Sequence, residues 1–198
     1  ALPISQPLTD IPLFEGLSKR ERRRVVGALR SRIFKAGDVL FHEGDPGDKL
    51  YFVKEGLVRI YTGGREKGLE TSVLIMGKPG DVFGELSIVD GQPRSASAKA
   101  VEDTVVYTMA RDHFKHHLEG IPRLAFNFIK QMSAKMRKST SRMDSLATQS
   151  VIARLADLIY KLAHDYGKQR GEAIVVDISL NQTELASLIG ATRESTNR

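Results

Sequence analysis

The chain has 198 residues, 41% hydrophobic and 27% charged, with a formal net charge of +6 and no cysteine. This length holds one large domain or two small ones, and the balance of residue types suits a globular chain. No apolar run approaches the roughly 20 residues that cross a bilayer, Pro3, Pro7, Asp10 and Pro12 interrupt any leader-like stretch, and disulfides and thiolate metal sites are excluded, so no membrane partner and a cytoplasmic location are expected.

The charge is unevenly placed. Residues 1–110 are nearly balanced, and residues 111–198 carry almost all of the excess. A basic C-terminal half points to an anionic partner there, nucleic acid being the obvious one. Residues 7–30 read as two short helices, capped by Thr9-Asp10 and by Ser18, with Leu13, Phe14 and Leu17 as an apolar patch between them. The basic run Lys19-Arg20 and Arg22-Arg23-Arg24 reads as a solvated helix face, because acidic and apolar residues interleave with it.

Residues 31–109 change character. Most of the 17 glycines fall here, between short runs rich in β-branched and aromatic residues: 39–41, 50–53, 58–61, 71–75 and 104–107. Strands of this length with frequent turn signals predict a closed antiparallel barrel or sandwich. Gly44-Asp45-Pro46-Gly47 and Thr62-Gly63-Gly64 are hairpin candidates.

Within this region, residues 83–96 read Phe-Gly-Glu-Leu-Ser-Ile-Val-Asp-Gly-Gln-Pro-Arg-Ser-Ala. Gly84-Glu85-Leu86 predicts a turn entering one short helical turn, and Asp90-Gly91-Gln92-Pro93 turns the chain round to Arg94-Ser95. Free N–H groups at a helix start attract an anion, and Gly84 allows close backbone approach. Arg94 offers a fork to a phosphate and Ser95 a small hydroxyl donor. Glu85 is misplaced against a bare phosphate but can accept a sugar hydroxyl. Together these residues point to a ribose phosphate.

Residues 110–120 predict a short helix. His113 and His117 are spaced to share a face, yet no acid is placed to complete a metal set, so a solvated helix is expected and no metal. From Pro122, well placed at a helix start, nothing breaks a helix to about Ala147. Ala125, Ile129, Met132, Met136, Ser139, Met143 and Leu146 follow an alternating spacing of 4 and 3. That is a heptad seam suited to a parallel helix pair between two subunits. Residues 147–150 read as a hinge, 151–166 as an amphipathic helix, and 173–178 as a strand. The last 20 residues have a helix-turn-helix pattern: Ala186 is small where helices approach, Gly190 sits where a positive φ is wanted, and Leu185, Leu188 and Ile189 supply a buried face. Arg193 and Arg198 can fork onto guanine, and Glu194 can accept from cytosine.

The run 83–96 resembles, without a gap, the phosphate-binding cassette of cyclic-nucleotide-binding domains, in the form used by the cyclic-AMP receptor protein branch of the CRP/FNR regulators. Residues 35–38 and 54–56 resemble turns of the same β-roll. The resemblance implies an α+β chain in three parts: a cyclic-nucleotide-binding β-roll over 1–120, a dimerisation helix over 121–147, and a C-terminal winged helix-turn-helix over 148–198. The family continues past the equivalent of Arg198 with the rest of the reading helix and a wing, so the domain is expected to be incomplete here. Gly84, Glu85, Leu86, Arg94 and Ser95 would hold the nucleotide. Ser139 and Thr140 would contribute hydroxyls to the adenine, one from each subunit. Arg193, Glu194 and Arg198 would read a half-site, with Ser195 on phosphate. The implied ligand is cyclic AMP, cyclic GMP not being excluded. The implied partners are a second copy of the chain, a palindromic DNA operator and RNA polymerase, and the implied activity is transcription regulation rather than catalysis. No nucleophile–base pair stands out, and the cassette lacks the Gly-x-x-x-x-Gly-Lys form of a nucleotide hydrolase. Two rivals remain at this stage: a ligand-independent regulator with a vestigial cassette, and a cyclic-nucleotide-binding module of another signalling protein.

Overall fold

The computed structural model describes residues 11–63, 70–76, 80–178 and 180–191. Pro12–Phe14 forms one 3-10 turn, and α1 spans Lys19–Gly27. Ser18 starts α1 with a reciprocal cap. Its hydroxyl accepts the Glu21 N–H at 3.3 Å, and the Glu21 carboxylate accepts the Ser18 N–H at 2.8 Å. The first expected helix is only the 3-10 turn, since Ile11 before it has no capping side chain and Gly16 beyond it adopts a positive φ. Thr9 and Asp10, expected to cap it, lie outside the described residues.

Eight strands build the body of the N-terminal region: β1 (Arg30–Phe34), β2 (Val39–Phe41), β3 (Lys49–Glu55), β4 (Val58–Gly63), β5 (Glu70–Met76), β6 (Val82–Phe83), β7 (Ser97–Ala100) and β8 (Thr104–Ala110). They form two antiparallel sheets, ordered β1-β8-β3-β6 and β2-β7-β4-β5. The five predicted runs lie in β2, β3, β4, β5 and β8. No comparable signal marks β1, which is rich in arginine, the two-residue β6, or Ser-Ala-Lys-Ala in β7. Because β2 and β3 belong to different sheets, Gly44–Gly47 is a crossover turn rather than the expected hairpin. Asp45 closes it by accepting the His42 N–H at 2.8 Å. β4 and β5 do pair, but β5 begins only at Glu70, so their connection is longer than Thr62-Gly63-Gly64, and Gly64 itself lies outside the described residues.

The strands' period of two divides the core. Leu50 and Phe52 of β3 face the helices and meet Leu13, Phe14, Val25 and Phe114, whereas Tyr51 and Val53 face the inside of the roll and meet Val58, Phe83 and Val106. Each large apolar side chain buried in this way contributes about 1.5–3 kcal/mol.

Between β6 and β7 stands α2 (Glu85–Asp90), and after β8 come α3 (Arg111–Gly120) and α4 (Pro122–Thr148). The 27 residues of α4 span roughly 40 Å at 1.5 Å each. Its first turns bury Leu124, Asn127 and Phe128, and the Asn127 amide donates to the carbonyls of Leu13 and Glu15 at 3.0 and 2.7 Å. Most of the expected seam lies on another face, although Met132 packs partly buried against the core. Ile129, Met136 and Met143 are 62%, 74% and 61% exposed in the single chain. α5 (Val151–Tyr166) starts at Ser150, whose hydroxyl accepts the Ala153 N–H. A hairpin of β9 (Lys168–Arg170) and β10 (Ala173–Val175) follows, then α6 (Gln182–Leu188). β10 stops three residues short of the strand expected over 173–178. Among the described residues no helix is long and apolar enough to cross a membrane.

Candidate functional site

The cassette hangs on two glycines. Gly84 (φ 74°) precedes α2 and Gly91 (φ 78°) ends it, both in the left-handed region. At Gly84 a Cβ would also lie 2.6 Å from Arg94 Nη1, so both conformation and space require glycine there.

Arg94 is the centre of the site. It is 3% exposed. Its Nη1 donates to the Gly84 carbonyl and its Nη2 to the Lys49 carbonyl, each at 2.7 Å. The guanidinium lies over the rings of Phe41 and Tyr51, 4.3 and 5.6 Å from their centroids, and its Nε has no hydrogen-bond partner. Among the described residues no carboxylate forms an ion pair with it. Two neutral carbonyls orient the charge without neutralising it, and a buried cation in that state costs several kcal/mol unless an anion joins it. Burial accordingly pulls its pKa below the usual arginine value. A cleft of about 380 Å³ opens beside it, with Arg32, Phe34, Lys49 and Tyr51 also in its wall. That volume lies within the usual range for small-molecule sites, about 300–1,000 Å³.

Glu85 is also buried, but it is not bare. Lys135, projecting from α4, places Nζ 2.9 Å from Glu85 Oε1 and 2.6 Å from the Val82 carbonyl. The sequence reading missed Lys135, which lies four residues before Ser139 on the same helix face and so was signalled only by spacing. Arg111, also missed, braces the cassette from β8's end. Its Nε donates to the Gly47 carbonyl at 3.1 Å and its Nη2 to the Ser87 carbonyl at 2.9 Å. The turn at Gly44 is laced to the cassette by Gly44 N–H to Arg94 O and Arg94 N–H to Asp45 O, both 2.9 Å.

The structure thus brings Gly84, Glu85 and Arg94 together. Leu86 and Ser95 are exposed at the cassette surface. Ser139 and Thr140 are exposed on α4, and the Thr140 hydroxyl donates back to the Met136 carbonyl at 3.1 Å. His117 is buried, and His113, one turn before it on α3, and His116 are exposed, so the helix is not solvated all round as expected.

In the C-terminal region, α6 carries its own reciprocal cap. Asn181 Oδ1 accepts the Glu184 N–H at 2.9 Å, and the Glu184 carboxylate accepts the Asn181 N–H at 3.0 Å. Ala186, Leu188 and Ile189 are buried, and Gly190 takes φ 63°. Arg193, Glu194, Ser195 and Arg198 lie outside the described residues.

Comparison with known proteins matches residues 31–120 to the cyclic nucleotide-binding domain and residues 153–198 to the Crp-like helix-turn-helix domain. The CRP-like cAMP-activated global transcriptional regulator of Mycobacterium tuberculosis is 33% identical over 188 residues, covering 94% of this chain and 82% of the relative. The cyclic AMP receptor protein of Thermus thermophilus is 31% identical over 190 residues, with the same coverage of 94% and 82%. The crystal structure of the Thermus thermophilus catabolite activator protein superposes with a TM-score of 0.61 at 30% identity, covering 94% of this chain and 84% of that one.

Proposed function

Because this chain belongs to the CRP/FNR family of transcription regulators, joining a cyclic nucleotide-binding domain to a Crp-like helix-turn-helix, we propose that it is a cyclic-AMP-responsive regulator that binds a palindromic operator as a homodimer. Residues 1–120 form the sensor, 121–147 the dimerisation helix and 148–198 the DNA-binding part.

The observation that carries the sensor reading is Arg94: a buried, pre-oriented cation with two carbonyl partners and, among the described residues, no carboxylate in ion-pair contact. A cyclic phosphate would supply the missing negative charge, aided by Gly84, Leu86 and Ser95. The ribose hydroxyl would meet Glu85, whose pairing with Lys135 adds a cation beside the sugar. Ser139 and Thr140 of the two subunits would close over the base. Cyclic AMP is preferred to cyclic GMP, and relatives described as cAMP-activated support that choice. Arg193, Glu194, Ser195 and Arg198 would meet DNA, and the DNA-bound dimer would contact RNA polymerase.

The test is calorimetric titration of cyclic AMP, cyclic GMP and AMP into the wild type and Arg94→Ala. Micromolar cyclic-AMP binding that disappears in the variant is expected. A folded wild type that takes up no nucleotide would overturn the sensor reading. It would favour a ligand-independent regulator, a second reading to which the internal Glu85–Lys135 pair lends weight, since the carboxylate is already satisfied.

A further inference from the structure

The helix-turn-helix does not stand clear of the β-roll. α6 packs along β5. Arg59 of β4, 4% exposed, forms an ion pair with Glu184, in the first turn of α6. Its guanidinium also lies 4.7 Å from the Tyr61 ring centroid. At the other end of the region, burial, and after it Asp81 of the β-roll and Asp165, push the Tyr166 hydroxyl up to about 12. The turn after α6 is tied down as well. Arg142 of α4 donates to the Leu188 carbonyl at 3.0 Å, and Arg154 of α5 to the Ile189 carbonyl at 2.8 Å. Leu146, the last residue of the expected dimer seam, packs against Gly190, where a Cβ would lie 2.5 Å from its Cδ2.

Two of these contacts conflict with the work of a DNA-bound dimer. The first helix of a helix-turn-helix crosses the duplex backbone when the second enters the groove, yet here α6 is engaged with β4 and β5. A heptad seam seats its side chains in the partner helix, yet here Leu146 leans on the chain's own turn. We propose that Arg59 and Glu184 form a latch that holds the helix-turn-helix in a closed pose of low DNA affinity, and that releasing it is part of the switch. The inference rests on the regulator reading above and identifies the pair that restrains it. A buried ion pair is suited to this role, because removing one partner strands the other's charge and the pose is lost rather than softened. Glu184 carries a double load, since its carboxylate also caps α6.

The test uses the full chain. With no native cysteine, Glu55→Cys and Arg170→Cys place spin labels on exposed sites of the two regions. Their distance distribution is measured without nucleotide or DNA in the wild-type background, with Glu184→Gln, with Arg59→Met, and with the exchange Arg59→Glu plus Glu184→Arg. Glutamine can still serve the cap, so Glu184→Gln removes the charge with little harm to the helix. The single substitutions are expected to broaden and lengthen the distribution and the exchange to restore it in part, since an arginine cannot accept the Asn181 N–H of the cap. Nucleotide-free affinity for a duplex selected from random sequence should rise about tenfold in Glu184→Gln, within the usual span of allosteric couplings. An unchanged distribution in a folded Glu184→Gln protein, or weaker DNA binding, would overturn the latch. Cyclic-AMP titration of the same proteins separates the two readings: lost nucleotide binding with an opening latch sinks only the sensor, and intact binding with an immobile pair sinks only the latch.

Discussion

At Arg94 a single side chain collects burial, two carbonyl acceptors and two aromatic faces, with no ion-paired carboxylate among the described residues. Its neighbour Gly84 is the more sensitive position for stability. Gly84→Ala must strain a positive φ and push Arg94 Nη1, 2.6 Å from the new Cβ. It is expected to lower unfolding free energy by about 1–3 kcal/mol, read by urea denaturation, and to weaken cyclic-AMP binding with it. His117 offers a test by pH. It is 7% exposed with neither ring nitrogen hydrogen-bonded, and its pKa is lowered from 6.5, first by burial and then by Arg24, His116 and His113. The unfolded chain therefore takes up this proton at a higher pH than the folded one. Stability should fall as pH drops through about 6.5 and level off below the folded pKa. His117→Leu should flatten that dependence, measured as the difference in unfolding free energy between about pH 7.5 and pH 5.5. An equally steep fall in the variant would assign it to other groups.

Among the elements, α4 serves two faces, and only one was visible in its spacing. The heptad seam of Ile129, Met136 and Met143 is exposed in the single chain, whereas Leu124, Asn127 and Phe128 are committed to the β-roll. The faces should respond differently. Met136→Arg is expected to leave the fold intact and convert dimers to monomers in sedimentation velocity. Phe128→Ala should lower stability by about 3–5 kcal/mol while leaving association of the folded protein unchanged. At α6 the reciprocal cap makes a smaller prediction: Asn181→Ala should cost about 1 kcal/mol, read as a lowered denaturation midpoint of the C-terminal region.

For the whole molecule, the proposed switch links nucleotide and DNA through the pose of the helix-turn-helix. If cyclic AMP strengthens operator binding by some factor, the operator must strengthen cyclic-AMP binding by the same factor. Titrating the nucleotide with and without saturating operator, and the operator with and without saturating nucleotide, should return the same factor, and a dimer should prefer half-sites about 34 Å apart. Equal nucleotide affinity in both titrations would mean that the two regions are uncoupled.

The sequence by itself determined what depends on local chemistry. The cassette's glycines and Arg94, the five β-branched strands, the uninterrupted length of α4 and the turn at Gly190 each announce themselves within a few residues, because φ preference, side-chain period and functional-group type are local properties. Partnership across the chain was decided only by the tertiary structure. Gly44–Gly47 reads as a hairpin until β2 and β3 are found in different sheets. His113 and His117 are equivalent by spacing, and only packing decides that His117 is buried and His113 exposed. Lys135 reaches Glu85 across 50 residues, and Arg59 reaches Glu184 across 125. Contacts of that separation arise from packing of the apolar faces, and no periodicity or propensity of the segments that carry them encodes which charge will stand opposite which.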